Sequence, residues 1–179
     1  MRACAWLIFL IATLWALAIV GAPHLHVSDG SGEPQGTVRV GALGGAPLTP
    51  AAVTMTLVYL TGAVICHQRP ERSFHAGPQQ YPVCARCTGL YVGAPFGLLA
   101  MLMMQRVRTG TGADAYRRWR VILLGAMVPT LVSIGLERIG GPSDTISRAL
   151  AALPLGAAVA AFVAAALLGH FAHAFAHAR

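Results

Sequence analysis

Residues 149–170 of the chain read ALAALPLGAAVAAFVAAALLGH, and this run decides the fold class. It contains no aspartate, glutamate, lysine or arginine. An α-helix rises about 1.5 Å per residue, so roughly 20 apolar residues cross the hydrocarbon core of a bilayer. The sequence therefore predicts a transmembrane helix at this position.

Four further apolar runs precede this one. They are Cys4–Val20, Ala51–Ile65, Thr88–Met104 and Val121–Leu136. Hydrophobic residues make up 56% of the chain and charged residues only 11%, whereas a soluble domain carries about 25% charged residues. The composition predicts an all-α integral membrane helix bundle of about five transmembrane helices, in contact with the lipid bilayer.

The predicted organisation has three parts. Residues 1–22 form a first transmembrane helix, a possible signal anchor, because its apolar run is longer than the core of a cleaved signal. Residues 23–50 are rich in glycine, proline and serine and are expected to form a flexible linker. Residues 51–179 form a membrane domain of about four helices, with a Cys/His loop, residues 66–87, between helices two and three.

The net charge of +7 comes from arginine, because the sequence contains no lysine. The arginines flank apolar segments, which indicates contact with lipid headgroups and no nucleic-acid partner. The linker Gln105–Arg120 carries five arginines against Asp114. The positive-inside rule predicts that this linker is cytoplasmic, which puts the Cys/His loop on the outer side.

Residues 65–93 read ICHQRPERSFHAGPQQYPVCARCTGLYVG and hold three of the four cysteines. Thiolates and imidazoles are ligands for zinc, and a closed structural site needs four of them. The candidate metal ligands are Cys66, His67, His75, Cys84 and Cys87. Cys66 and His67 are adjacent in sequence and rarely reach the same ion, so one of the two histidines is expected to complete the set. The predicted cofactor is zinc or another transition metal, in a structural site or, with one open position, a catalytic one.

A second hypothesis for this loop is thiol redox chemistry. Cys84 and Cys87 form a C-x-x-C pair just before the helix predicted to begin at Thr88, and a helix N-terminus favours a thiolate. The chain would then be a membrane thiol–disulfide oxidoreductase that passes electrons to a quinone. A structural disulfide, or cysteines that pack only as small side chains, is the plainer alternative. A third hypothesis is a non-enzymatic membrane assembly subunit.

The same loop contains polar residues that suit an anion. The candidate substrate- or anion-binding residues are Gln68, Arg69, Arg72 and Arg86. They would form an electropositive pocket near the membrane interface for a headgroup or a small anionic substrate. An ionisable residue at membrane depth is a functional candidate, but Glu137 lies near the end of its helix, which favours an interfacial ion pair.

Gly89, Gly93 and Gly97 are spaced at i, i+4 and i+8 and lie on one face of the third helix. Small residues at this spacing allow close helix packing in membranes. The partner is either another helix of the same chain or a second copy, which would make a homo-oligomer through this glycine face.

The rest of the sequence, including Cys4 and the remaining histidines, indicates no further site. The sequence contains no phosphate-binding loop, dinucleotide fingerprint, nucleophile elbow or H-E-x-x-H motif, so whether the chain is an enzyme stays open. Cys4 is expected to be a small apolar side chain in the first helix. The remaining histidines, in the linker and at a fraying C-terminus, are expected to be solvated: His24, His26, His170, His173 and His177.

The loop resembles a family of prokaryotic polytopic membrane proteins that is defined as a domain of unknown function. The resemblance is carried by CHQ at residues 66–68, RSF at 72–74, and PVCARCTG at 82–89 followed by Tyr91 and Gly93. A weaker likeness continues to residues 154–156. The resemblance implies an integral protein of a prokaryotic cell membrane and the importance of the loop, and it implies no reaction.

Overall fold

The computed structural model describes residues 2–24, 50–77, 79–104, 113–141 and 144–168. Most of the predicted linker, part of the predicted cytoplasmic loop and the C-terminal histidines lie outside these ranges. The helices are α1 (Arg2–Gly21), α2 (Pro50–Ile65), α3 (Ala85–Met104), α4 (Ala113–Arg138) and α5 (Thr145–Leu167). Short 3-10 helices cover Ala22–His24 and Pro70–Arg72, and two strands, β1 (Ser73–Ala76) and β2 (Gln79–Cys84), lie between α2 and α3.

Four of the described helices, α1, α3, α4 and α5, are long and apolar enough to cross a membrane. α2 is shorter: its 16 residues span about 24 Å, against roughly 30 Å of hydrocarbon. These helices confirm the predicted all-α membrane bundle. In a bilayer no water is present to bond the backbone, and a helix satisfies its own amide and carbonyl groups.

The centre of the bundle is the contact between α3 and α5, which we call the seam. A side-chain carbon added at Gly89, Gly93 or Gly97 would overlap the backbone of α5, at the carbonyl oxygens of Ala149, Leu153 and Ala157 respectively. Gly156 on α5 meets the backbone of α3 in the same way. Small residues replace side-chain interdigitation here and let the two backbones touch.

This seam shows where the predicted glycine face lies. It packs on α5 of the same chain, so a second copy would reach these glycines only by displacing α5. Farther along the two helices, Leu98 and Met101 of α3 pack against Ala164 and Ala165 of α5.

The outer helices flank the seam, with α1 against α3 and α4 against α5. None of the apolar stretch of α4 is buried within the chain. Its outward side chains include Val121, Leu124 and Leu131, each more than half exposed, which suits contact with lipid. A helix that is apolar all round is expected where the solvent is hydrocarbon.

The segment between α2 and α3 contains an antiparallel β-hairpin that the sequence analysis did not predict. Ser73 pairs with Cys84, and His75 pairs with Gln80, with an irregularity between the two pairs. Gly77, in the turn, has a φ of 62°, a conformation that glycine adopts at little cost. We call residues 66–84 the cap.

Three helix starts differ from the predicted ones by three or more residues, and one of them is α5, which begins at Thr145 and not at Ala149. α3 begins at Ala85, directly after β2, and not at Thr88, so Cys87 lies within its first turn. α4 begins at Ala113 and not at Val121, and so includes the arginine-rich end of the predicted loop. Alanine and arginine are good helix formers, and a polar first turn can extend a membrane helix into the interface.

Candidate metal centre

Three cysteines from three different elements meet at the junction of the cap and the bundle. Cys66 directly follows α2, Cys84 ends β2, and Cys87 lies in the first turn of α3. Their Sγ atoms all lie within 4.8 Å of one another. All three thiols are free and partly buried. We call these residues the thiol triad.

The cap holds Cys66 in place through the Gln68 side chain. The Gln68 amide nitrogen donates to the carbonyl oxygens of Tyr59 (3.2 Å) and Pro82 (2.6 Å), which ties the end of α2 to β2. In turn, the Gln80 amide nitrogen donates to the backbone carbonyl of Gln68 at 2.8 Å. Gln68 has a φ of 44°, and these bonds hold that unfavourable backbone conformation.

Gly62 makes this approach of α2 to the cap possible. A side-chain carbon at Gly62 would overlap the Pro82 carbonyl oxygen and would crowd the Gln68 amide. Tyr59, on the same helix, donates its hydroxyl to the carbonyl oxygen of Gln80 at 2.6 Å. Neither Gly62 nor Tyr59 was predicted as part of the site, because an isolated glycine or tyrosine in an apolar helix carries no signal of its partner.

The surroundings of the triad favour a thiolate at Cys84. The backbone N–H of Cys84 donates to the Cys66 sulfur, with a nitrogen–sulfur distance of 3.3 Å. A hydrogen bond with the Cys87 thiol lowers the pKa of Cys84 to about 5, although partial burial opposes this shift. Because the thiolate is the form of cysteine that binds metals, Cys84 is the member of the triad best suited to be a first ligand.

The donor set fits a thiophilic metal ion. With Zn–S bonds of about 2.3 Å, two sulfurs on a tetrahedral zinc lie roughly 3.8 Å apart. Sulfurs already within 4.8 Å of one another need only small side-chain adjustments to reach that spacing. Among the described residues, no histidine or carboxylate belongs to this group of ligand atoms.

The two histidines predicted as a fourth ligand are therefore not brought into the triad. His67 is exposed and lines the cavity beside the thiols. His75 is exposed on β1 and is not among the residues that line this cavity. The hairpin explains the position of His75, because it pairs with Gln80, away from the Ser73–Cys84 end of the hairpin.

The triad opens into a cavity of about 680 Å³ between the cap and the ends of α2 and α4. Its wall contains the three thiols, five arginines and one glutamate. The lining residues are Ile65, Cys66, His67, Gln68, Arg69, Arg72, Cys84, Arg86, Cys87, Ile134, Glu137, Arg138 and Arg148. All four predicted anion-binding residues are in this list, although two of them have structural partners.

Arg86, one of those two, belongs to an ion cluster with Glu137 and Arg148. Arg86 donates to Glu137 and to the Ser133 hydroxyl, while the Nε of Arg148 donates to the same carboxylate oxygen at 2.8 Å. The three side chains are only 12–19% exposed. Arg148 also donates to the carbonyl oxygen of Glu71 at 3.3 Å. The cluster therefore joins α3, α4 and α5 to the cap.

The other residues of the predicted anion site differ in how they are used. The Gln68 amide nitrogen donates its hydrogen bonds to backbone carbonyls of α2 and β2. Arg69 and Arg72 are exposed, line the cavity, and make no side-chain ion pair within the described residues. Arg138, which the sequence analysis did not place in the site, joins them at the end of α4.

Comparison with known proteins gives a family and no activity. Residues 66–162, more than half of the chain, match the model of a family described as "Predicted membrane protein (DUF2085)". An uncharacterized protein of Methanothermobacter thermautotrophicus is 32% identical over 99 residues, which cover 54% of this chain and 81% of that protein. An uncharacterized protein of Methanocaldococcus jannaschii is 31% identical over 83 residues, covering 46% of this chain and half of that protein. No solved structure matches the chain.

Proposed function

The chain belongs to the DUF2085 family of predicted membrane proteins, and we propose that it is an integral membrane protein that holds a zinc-like transition-metal ion on the thiolates of Cys66, Cys84 and Cys87. The observation that carries the proposal is the meeting of three sulfurs within 4.8 Å, from three separate elements. The matched region begins at Cys66 and so contains the whole triad.

The surroundings of the triad support a metal more than a chance grouping of thiols. Thiolates select soft and borderline ions, among them zinc. The N–H group of Cys84 that points at the Cys66 sulfur would stabilise a bound thiolate. The glutamine network behind the triad restrains two of its ligands, as the partners of metal ligands commonly do.

With three protein ligands, the fourth position is the functional one. All three thiols line the cavity, so a fourth ligand would enter from there, either as water or as part of a substrate. Three protein ligands and one open position are typical of catalytic zinc, whereas a structural zinc has four. His67 directly follows Cys66 in the sequence and lines the same cavity. Coordination of the metal by His67 would turn the site into a closed, structural one.

The experiment that tests the proposal is elemental analysis of protein purified without a histidine tag. We expect about one zinc per chain. The variant Cys84→Ser/Cys87→Ser is expected to lose it, and Cys4→Ser to keep it, because Cys4 is exposed on α1, away from the triad. Replacement of the zinc by cobalt should give a sulfur-to-metal charge-transfer band that only the triad variants abolish.

Two outcomes would contradict this proposal. One is a folded wild-type protein that contains no transition metal after purification in metal-supplemented medium. The other is a metal content that is unchanged when Cys84 and Cys87 are both replaced. His67→Ala and His75→Ala complete the test: a loss of metal in either variant would show a closed site with a histidine ligand.

A second candidate function is thiol–disulfide exchange, which the contact between Cys84 and Cys87 favours. Oxidation of this pair forms one S–S bond and releases two protons and two electrons, which a membrane quinone would accept. Mass spectrometry after rapid alkylation of whole cells would then find the pair in both free and bonded forms. Cysteines that stay reduced in aerated and in oxidant-treated cells would exclude this function.

A further inference from the structure

The cavity beside the triad has a charge pattern that metal binding alone does not use. Five arginines and one glutamate line it, which leaves four positive charges in excess. Three thiolates around a divalent ion carry one net negative charge, so the cavity stays at about three positive charges with the metal bound. Clefts of one sign concentrate ligands of the opposite sign.

The ion cluster divides these arginines into two groups. Arg86 and Arg148 share the carboxylate of Glu137, which fixes them as parts of the wall. Arg69 and Arg72, on the cap, and Arg138, on α4, make no ion pair within the described part of the chain. Arg69 and Arg72 line the cavity from the cap, and Arg138 lines it from the end of α4. The available positive charge is therefore on these three residues.

The shape and the apolar part of the cavity indicate what kind of anion it takes. A cavity of about 680 Å³ is within the range of ligand pockets, roughly 300–1,000 Å³, and is much larger than one inorganic ion needs. Ile65 and Ile134, at the ends of α2 and α4, line it and are 43% and 37% exposed. The occupant should therefore carry a hydrocarbon part as well as a charge.

We propose that this cavity binds a phosphate ester, with the phosphate between Arg69, Arg72 and Arg138 and the hydrocarbon part against Ile65 and Ile134. The planar guanidinium group matches phosphate oxygens in a two-pronged geometry, which makes arginine a favoured phosphate ligand. The ester is either the headgroup of a membrane phospholipid or a soluble phosphate ester. The arginines form this site whether or not the triad holds a metal.

Native mass spectrometry of the full chain, released from detergent, tests this site. The protein is equilibrated with dioleoyl phosphatidylglycerol or with dioleoylglycerol, which has the same chains and no phosphate. Wild type should retain one phosphatidylglycerol and no dioleoylglycerol. Arg69→Gln/Arg72→Gln should bind the phospholipid about tenfold more weakly or worse, because two charge-assisted contacts are lost. Arg117→Gln/Arg118→Gln, an equal loss of charge near the opposite end of α4, should bind as wild type does.

A soluble arm distinguishes the two sources of phosphate. If wild type binds glycerol phosphate by calorimetry and retains no phospholipid, with the same dependence on Arg69 and Arg72, the ligand is a soluble ester. If neither probe binds at one site per chain, or if both double variants weaken binding equally, the proposal is overturned. Metal-stripped protein is measured in parallel: binding that follows the zinc content and not the arginines would also overturn it, without affecting the metal proposal.

Discussion

The seam and the cap are held together by different forces. At the seam, α3 and α5 touch through backbone atoms, because glycines on both helices lie against the backbone of the opposite helix. In the cap, almost every contact that fixes the cysteines is a hydrogen bond or an ion pair, from Gln68, Gln80 and the ion cluster. Shape therefore fixes the position of the helices, and polar pairing fixes the position of the reactive groups.

This difference shows where chemistry is possible in a small membrane protein. Polar groups in hydrocarbon need internal partners, so the spanning part of the bundle is confined to packing. At the interface, charged groups keep some contact with water and cost less. The cap and the helix ends can therefore carry thiols and arginines, while the seam fixes the spacing of α3 and α5.

The largest expected effect comes from breaking the ion cluster, where polar pairing reaches into the bundle. Glu137→Gln keeps the size of the side chain but removes the carboxylate charge that the partly buried Arg86 and Arg148 share. Removal of one partner from a buried ion pair costs about 3–5 kcal/mol, and the partial exposure of this cluster places the expected loss near the lower end. Reversible unfolding in mixed micelles measures it.

The neighbouring Arg138→Gln is the control for this change, since it also alters one charge at the end of α4 but breaks no ion pair of the cluster. It should change the unfolding free energy by less than about 1 kcal/mol. Equal stability of the two variants would mean that the ion cluster does not stabilise the contacts of α3, α4 and α5 with one another.

The second effect tests the seam. Gly97→Val places side-chain atoms where the backbone of α5 lies, at Ala157, and the helices must separate to admit them. Overpacking typically costs about 1–3 kcal/mol, and a backbone neighbour cannot rotate away, so a loss of roughly 2–3 kcal/mol is expected. The same unfolding assay measures it.

Gly125→Val on α4 is the matched control, because nothing lies within 4 Å of a side-chain carbon added there. Both changes exchange glycine for valine inside a helix, so their difference isolates the packing at the seam. If both variants are equally stable, the close approach of α3 and α5 is not needed. If Gly125→Val is the more damaging, the exposed face of α4 has a partner outside the described residues.

The helices of the bundle were largely predictable, because hydrophobicity is a local property of the sequence. The apolar run that begins at Ala149 predicts α5 directly, and the spacing of Gly89, Gly93 and Gly97 predicts a packing face. That spacing does not reveal which helix packs there. The answer lies in the backbone of α5, whose alanines give no distinct signal of a partner.

The site was predictable in part. Residue type and spacing alone predict Cys66 and the C-x-x-C pair as candidate ligands, and their sulfurs do lie together. Two features depend on pairing between residues far apart in the sequence. An interfacial ion pair at Glu137 was expected, but its partner Arg86 lies 51 positions away in the chain. In the sequence, only a short glycine-containing turn indicates the hairpin. Because the hairpin was not predicted, the separation of His75 from the thiols could not be predicted either.

The weakest of the predicted effects on stability comes from the hydrogen bonds of the cap. Gln68→Ala removes two hydrogen bonds, to Tyr59 and to Pro82, that tie α2 to β2. At about 1 kcal/mol for each bond, the loss of stability should be roughly 1–2 kcal/mol, less than at the seam. Mutation of a group that orients metal ligands typically lowers the metal affinity 10- to 100-fold, so Gln68→Ala should weaken metal binding by at least about tenfold. Competition with a chelator measures this affinity.

Gln79→Ala is the control, since Gln79 lies on β2 and its side chain makes no hydrogen bond to another described residue. It should keep both the stability and the metal affinity of the wild type. Gly97→Val should do the reverse of Gln68→Ala: it lowers the stability more, yet a folded fraction should bind metal with nearly unchanged affinity. If the seam variant instead loses the metal while Gln68→Ala keeps it, the helices and not the polar network of the cap position the thiols.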